Sequence, residues 1–127
     1  MNIRTAAITG ASSGLGETFA RQLAARGTNL LLAARRHDRL LALKSELESR
    51  HAISVETFPC DLAVEAEAAS LAARLAAHPS LDLLVNNAGF GTLGLFHETP
   101  FDRQHDMLRV HVLATMTLCR AVLPPFI

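Results

Sequence analysis

The spacing of apolar positions changes character several times along the chain, and each change marks an element. A short apolar run, Thr5–Thr9, leads into a glycine-rich turn, after which Leu15, Phe19 and Leu23 fall four apart as one helical stripe. Gly27 stops that helix, and Asn29–Ala34 follows as an unbroken apolar run of the kind found in a strand covered on both faces. Over 36–50, Leu40, Leu43 and Leu47 recur at helical spacing with charges between them. The β-branched Ile53, Val55 and Thr57 predict a third strand over 53–59, and an alanine-rich helix over 64–77 ends before Pro79. Leu81–Val85 is a fourth apolar strand. A last long helix is predicted over 101–123, stopping before Pro124 and Pro125.

Strand and helix thus alternate four times with short connections. Such alternation predicts an α/β domain, a parallel sheet with helices on both faces. No linker, repeat or low-complexity stretch divides the 127 residues, so one domain spans 1–127. A chain of that length buries about two-thirds of its unfolded surface.

Candidate chemistry gathers where strands end. Thr9, Gly10, Ala11, Ser12, Ser13, Gly14, Leu15 and Gly16 join the first strand to the first helix, where backbone N–H groups and the positive helix end point at one place. Glycine there permits positive φ and lets the backbone approach a pyrophosphate, the last glycine allowing close helix packing. Ser12 and Ser13 add hydroxyls. The second strand ends in Ala34, Arg35 and Arg36, where dinucleotide folds carry either an acid for a ribose 2′-hydroxyl or an arginine for a 2′-phosphate. Arg35 is the predicted phosphate reader, with Arg36 beside it. One charge-assisted bond favours NADP over NAD by about 10- to 150-fold. Asp61 and Leu62 end the third strand, and Asn86, Asn87, Ala88 and Gly89 the fourth. In open α/β sheets these ends line one crevice, which suits Asp61 to an adenine amine and Asn87 to a ribose or to backbone groups. An Asx turn at Asp61 and a local turn at the asparagines are the structural alternatives.

Composition narrows the partners. Twelve basic residues balance twelve acidic ones, which gives no field to attract nucleic acid or an anionic membrane. No run of eighteen apolar residues occurs and the N-terminal apolar stretch is too short for a leader, so no membrane span and a cytoplasmic location are expected. Cys60 and Cys119 lack metal or redox spacing and read as small buried hydrophobes. The glycine turn lacks a Gly-Lys-Ser/Thr ending, which argues against a mononucleotide P-loop.

Taken together, Thr9-Gly10-x-x-x-Gly14-x-Gly16, Asp61-Leu62 and Asn86-Asn87-Ala88-Gly89 resemble the short-chain dehydrogenase/reductase family, and the Ala-Arg-Arg resembles its NADP-preferring members. The resemblance covers the whole chain. It implies a Rossmann-type doubly wound sheet, hydride transfer between NADP(H) and a carbonyl or alcohol substrate, and subunits that usually pair. It also implies a catalytic Tyr-x-x-x-Lys with a preceding Ser, and an Asn in the helix after the fourth strand. This chain has no tyrosine, and its one lysine, Lys44, falls in the second helix. The expectation is therefore a cofactor-binding N-terminal part, truncated after the fourth strand and its helix and inactive alone. The alternative is a non-catalytic NADP(H)-binding or sensing module. His111 stands where the family's Asn is implied, on an expected stripe with Met107, Ala114 and Leu118 that reads as a half-buried structural site. The fourth strand is expected to be an exposed edge that favours self-association, consistent with a homo-oligomer.

Overall fold

A computed structural model describes residues 2–127. Four parallel strands, β1 (Thr5–Thr9), β2 (Asn29–Ala34), β3 (Val55–Pro59) and β4 (Leu81–Val85), lie in the order β3-β2-β1-β4. Helices α1 (Gly14–Ala25), α2 (His37–Arg50) and α3 (Glu65–Ala76) connect them, followed by α4 (Phe101–Leu108), a π-helical segment Arg109–Ala114 and α5 (Thr115–Phe126). The α/β parallel sheet expected from the alternation is the one found, with the Rossmann-like winding that the family resemblance implied.

Strand side chains alternate between faces, so β1 and β2 feed two separate cores. Ala6, Ile8, Leu30 and Leu32 pack with Leu23 of α1 and with Leu40, Leu43 and Leu47 of α2. Ala7, Leu31 and Ala33 pack with Leu71 and Leu75 of α3 and with Leu118 and Val122 of α5. The chain runs outward from β1 to β3 over one face, then crosses β1 on the other face to reach β4. The strand order therefore reverses between β1 and β4, the place where open α/β sheets open a ligand crevice.

Of the stripe expected on α1, Leu23 is buried but Leu15 and Phe19 are not. Leu15 is 70% and Phe19 42% exposed, while Gly16, Ala20, Leu23 and Ala24 face inward. Small residues win because α1 lies close against the turn that precedes it. A Cβ on Gly16 would sit 2.2 Å from the Gly10 carbonyl oxygen.

The last helix departs in two ways. Its buried stripe is Val110, Ala114, Leu118 and Val122, a strict four-residue repeat that outruns the 3.6-residue turn of an α-helix. The π-helical turn at Arg109–Ala114 is wider and holds that repeat toward α3. The helix also passes the expected stop and reaches Phe126. Pro124 and Pro125 offer no N–H, but the Ile127 N–H still reaches the Leu123 carbonyl at 3.2 Å. As one helical stretch, Phe101–Phe126 has the length and apolar composition of a membrane span, with a window of mean hydropathy 1.2. Counting uninterrupted apolar residues excluded such a span; periodic composition does not, although here the inner stripe packs on the fold.

Among the described residues strand β4 pairs with β1 alone, so its other side is an open edge. Arg4, just before β1, binds Asp82 of β4, its Nη2 lying 2.8 Å from Oδ1 and its backbone nitrogen 2.7 Å from Oδ2.

Candidate functional site: the crevice at the strand ends

The turn after β1 needs its glycines for two different reasons. Gly10 and Gly14 have φ of +64° and +56°, the left-handed region where a side chain strains the backbone. Gly14 faces open space, with nothing within 4 Å of a built Cβ. Gly16 is instead crowded, its missing Cβ leaving room for the Asn87 amide at 2.5 Å. Ser13 caps α1 in an extended conformation and its side chain makes no capping bond, which leaves first-turn N–H groups to a ligand.

Thr9 and Asn87 tie this turn to the end of β4. The Asn87 and Ala88 N–H groups both donate to Thr9 Oγ1 at 3.0 Å. In return Asn87 Nδ2 donates to the carbonyls of Thr9 and Gly10, each at 3.1 Å. Asn87 thus takes the backbone-capping role, and Thr9, 2% exposed, acts through its hydroxyl as an acceptor, a role that its place at the head of the glycine motif did not specify.

At the ends of β2 and β3 the polar groups converge. Arg36 reaches across the glycine turn, Nη2 to Ser12 Oγ at 3.4 Å, and Arg35 lines the same cavity. Asp61 Oδ1 accepts the Ala63 N–H at 2.9 Å, the Asx turn held open as an alternative. Glu67 of α3 braces it, accepting the Asp61 N–H at 3.1 Å. Burial, with the nearby charges of Glu67 and Asp61, pushes the Cys60 thiol up to about 11. Cys60 is buried as expected, whereas Cys119 is half-buried and accepts from Asn86 Nδ2 at 3.3 Å; both are free thiols.

All the sequence-predicted cofactor residues except Gly16 line one cavity of about 360 Å³: Gly10, Ser12, Ser13, Gly14 and Leu15 from the glycine turn, Arg35, Arg36, Asp61 and Leu62 from beyond β2 and β3, and Asn87, Ala88 and Gly89 from beyond β4. Gly16 stands behind the wall. Three arginines, Arg35, Arg36 and Arg103, face Asp61 and Asp106 there, and Asp106 is paired with Arg109 at 3.0 Å. The excess charge is positive, which suits an anion. Phe90, Arg103, Asp106 and Val110 close the cavity from the side of α4, and no local spacing marks them, because the loop over 91–100 decides where that helix lies.

His111 is exposed, not half-buried, and stands off the stripe assigned to it. Its Nε2 lies 2.9 Å from the Phe90 nitrogen and 2.8 Å from the Phe90 carbonyl oxygen. Across the phenyl ring, the Arg103 guanidinium carbon sits 3.8 Å from the ring centre.

The model of the short chain dehydrogenase family matches residues 4–127. The chain belongs to that family. A very-long-chain 3-oxoacyl-CoA reductase of Meyerozyma guilliermondii is 35% identical over 126 residues, which span 96% of this chain and 37% of that protein. A fatty acyl-CoA reductase of Acinetobacter baylyi is 38% identical over 121 residues, 94% of this chain and 40% of that protein. Among solved structures, a short-chain dehydrogenase from Sphingobium yanoikuyae in complex with NADPH superposes with a TM-score of 0.94 at 36% identity, covering 97% of this chain and 48% of that one. An L-sorbose reductase from Gluconobacter frateurii, complexed with NADPH and L-sorbose, gives 0.89 at 27% identity over 99% and 50%. This short-chain dehydrogenase chain therefore spans half or less of these relatives' length.

Proposed function

We propose that the chain binds NADP(H) in the crevice between β1 and β4, as the cofactor-binding part of a reductase or dehydrogenase acting on a small carbonyl or alcohol substrate. The observation that carries this reading is the Arg36 guanidinium lying against Ser12 beside the open face of Gly14, with Arg35 next to it and no acid at the end of β2. A 2′-phosphate would meet planar, charge-assisted donors there. The donor set fits the group: open N–H groups at the start of α1 for the pyrophosphate, and Asp61 and Leu62 beside the place for an adenine. When bound, the nicotinamide supplies the hydride chemistry; these residues bind and orient.

The chain alone is proposed to be inactive. It contains no tyrosine to hold the transferred proton. Its single lysine is engaged elsewhere, Lys44 Nζ donating to the Val55 carbonyl at the start of β3 at 2.8 Å. The lack of tyrosine equally favours the second reading, a non-catalytic NADP(H)-binding module. The two part on whether an added polypeptide bearing Tyr-x-x-x-Lys restores turnover.

Titration of the pure chain with NADPH and NADH tests the binding claim. NADPH is expected to bind about 10- to 150-fold tighter, a preference that shrinks in Arg35→Asp and Arg36→Asp. Equal affinity for the two cofactors, or an unchanged ratio in both variants, overturns the NADP assignment. Robust NADPH oxidation by the chain against carbonyl compounds overturns the inactivity.

A further inference from the structure

We propose that His111 is the positioning residue of the crevice wall formed by Asn87, Ala88, Gly89 and Phe90, holding that wall through a hydrogen bond from the Phe90 N–H to its Nε2. The inference rests on the NADP(H) reading only for what the wall touches; the contact itself stands on geometry.

Nε2 faces two atoms of one residue, the Phe90 nitrogen at 2.9 Å and the Phe90 carbonyl oxygen at 2.8 Å. A ring nitrogen carries either a lone pair or a proton, so it serves one of them at a time. The N–H has a single use, whereas the carbonyl has two lone pairs and, on this half-buried residue, access to water. The N–H is therefore the partner, and the ring proton belongs on Nδ1. The imidazole is seated by Gly89: a Cβ there would stand 2.3 Å from His111 Cε1. The wide π-helical turn sets where His111 leaves the helix, and the Arg103 guanidinium covers the ring of Phe90. Phe90 is thus gripped at its backbone by one side chain and at its ring by another. It lines the cavity next to Gly89 and Ala88.

The test uses the ¹⁵N-labelled 127-residue chain, His111→Ala and His111→Gln, at about pH 8, above the ordinary histidine range. Gln places an amide at about the reach of Nε2 and offers both donor and acceptor. Long-range ring spectra are expected to show His111 Nε2 as an unprotonated acceptor and Nδ1 as protonated. In His111→Ala the Phe90 amide resonance moves upfield and the NADPH Kd rises about 3- to 10-fold, while His111→Gln stays within about twofold of the parent. A proton on Nε2, or a Phe90 amide and a Kd both unmoved in His111→Ala, overturns the proposal. Absence of any NADPH binding by the parent chain sinks the cofactor reading instead, and the Phe90 amide shift then decides the His111 contact by itself.

Discussion

The Thr9 hydroxyl and the Asn87 amide hold each other's backbones: two N–H groups from the Asn87 side converge on Thr9 Oγ1, and Asn87 Nδ2 returns to the Thr9 and Gly10 carbonyls. This clasp joins the first and last strands of the sheet at the mouth of the crevice. Thr9→Val keeps the shape and removes the acceptor, leaving two part-buried N–H groups unpaired. Each unsatisfied donor costs about 1–3 kcal/mol, so a loss of about 2–6 kcal/mol in urea unfolding is expected. Thr9→Ser, which keeps the oxygen, should lose about 1 kcal/mol or less. Equal losses in the two variants would show that the methyl, not the hydroxyl, matters.

The glycines of the phosphate turn should fail differently. Gly16→Ala drives a Cβ to 2.2 Å from the Gly10 oxygen and 2.5 Å from Asn87 Nδ2, so backbone and clasp must both shift. Overpacking of this kind costs about 1–3 kcal/mol and is expected to weaken NADPH binding as well. Gly14→Ala meets no atom and bears only the strain of φ +56°, about 1–2 kcal/mol. The Asn87 side-chain amide resonances separate the two, because only Gly16→Ala should move them in the free chain, whereas a Cβ on Gly14 faces the crevice and should weaken NADPH binding without touching Asn87.

What was legible in the sequence is what is local. Positive φ at Gly10 and Gly14 is a one-residue demand, and glycine is its marker, so the turn and its place between β1 and α1 were readable. The unbroken apolar run of β2 announced a strand covered on both faces, as it is. The buried face of α1 was not legible, since Leu15 and Phe19 look like core by type while the close approach at Gly16 turns them outward. The grip on Phe90 was not legible either. His111 is 21 residues from Phe90, and their meeting depends on the path of the loop over 91–100 and on the wide turn at Arg109–Ala114. A four-residue repeat in Val110, Ala114, Leu118 and Val122 was the one available hint of that turn.

Stability should fall on mild acidification through His78. Burial, aided by the Arg74 charge and opposed by Glu56, lowers its pKa below the ordinary histidine value. Its neutral Nδ1 accepts the Ser80 N–H at 3.2 Å in the turn into β4. Because the folded pKa is the lower one, the unfolded chain binds more protons between the two values, and stability rises with pH across that window. The contribution is complete above about pH 6.5 and is lost as pH falls through the folded value. His78→Asn keeps an acceptor without titrating, so its urea midpoint should change less between about pH 5 and 7 than that of the parent. A parent midpoint that is flat over this range would rule the effect out.

The two thiols should differ in reactivity under native conditions. The thiolate is the nucleophile, and a thiol whose pKa stands at about 11 is only about one part in a thousand ionised at pH 8. Cys60 is also 5% exposed, so a disulfide reagent has little access and few thiolates to meet. Cys119 is half-buried at the outer side of α5, with only the weak Asn86 contact to its sulfur. Labelling with an aromatic disulfide is therefore expected to give one fast thiol per chain, the second reacting only as the fold opens. Cys119→Ser should remove the fast phase and Cys60→Ser should leave it. A fast phase that survives Cys119→Ser and disappears in Cys60→Ser would mean that the end of β3 opens readily, and the packing described around Cys60 would then have to be abandoned.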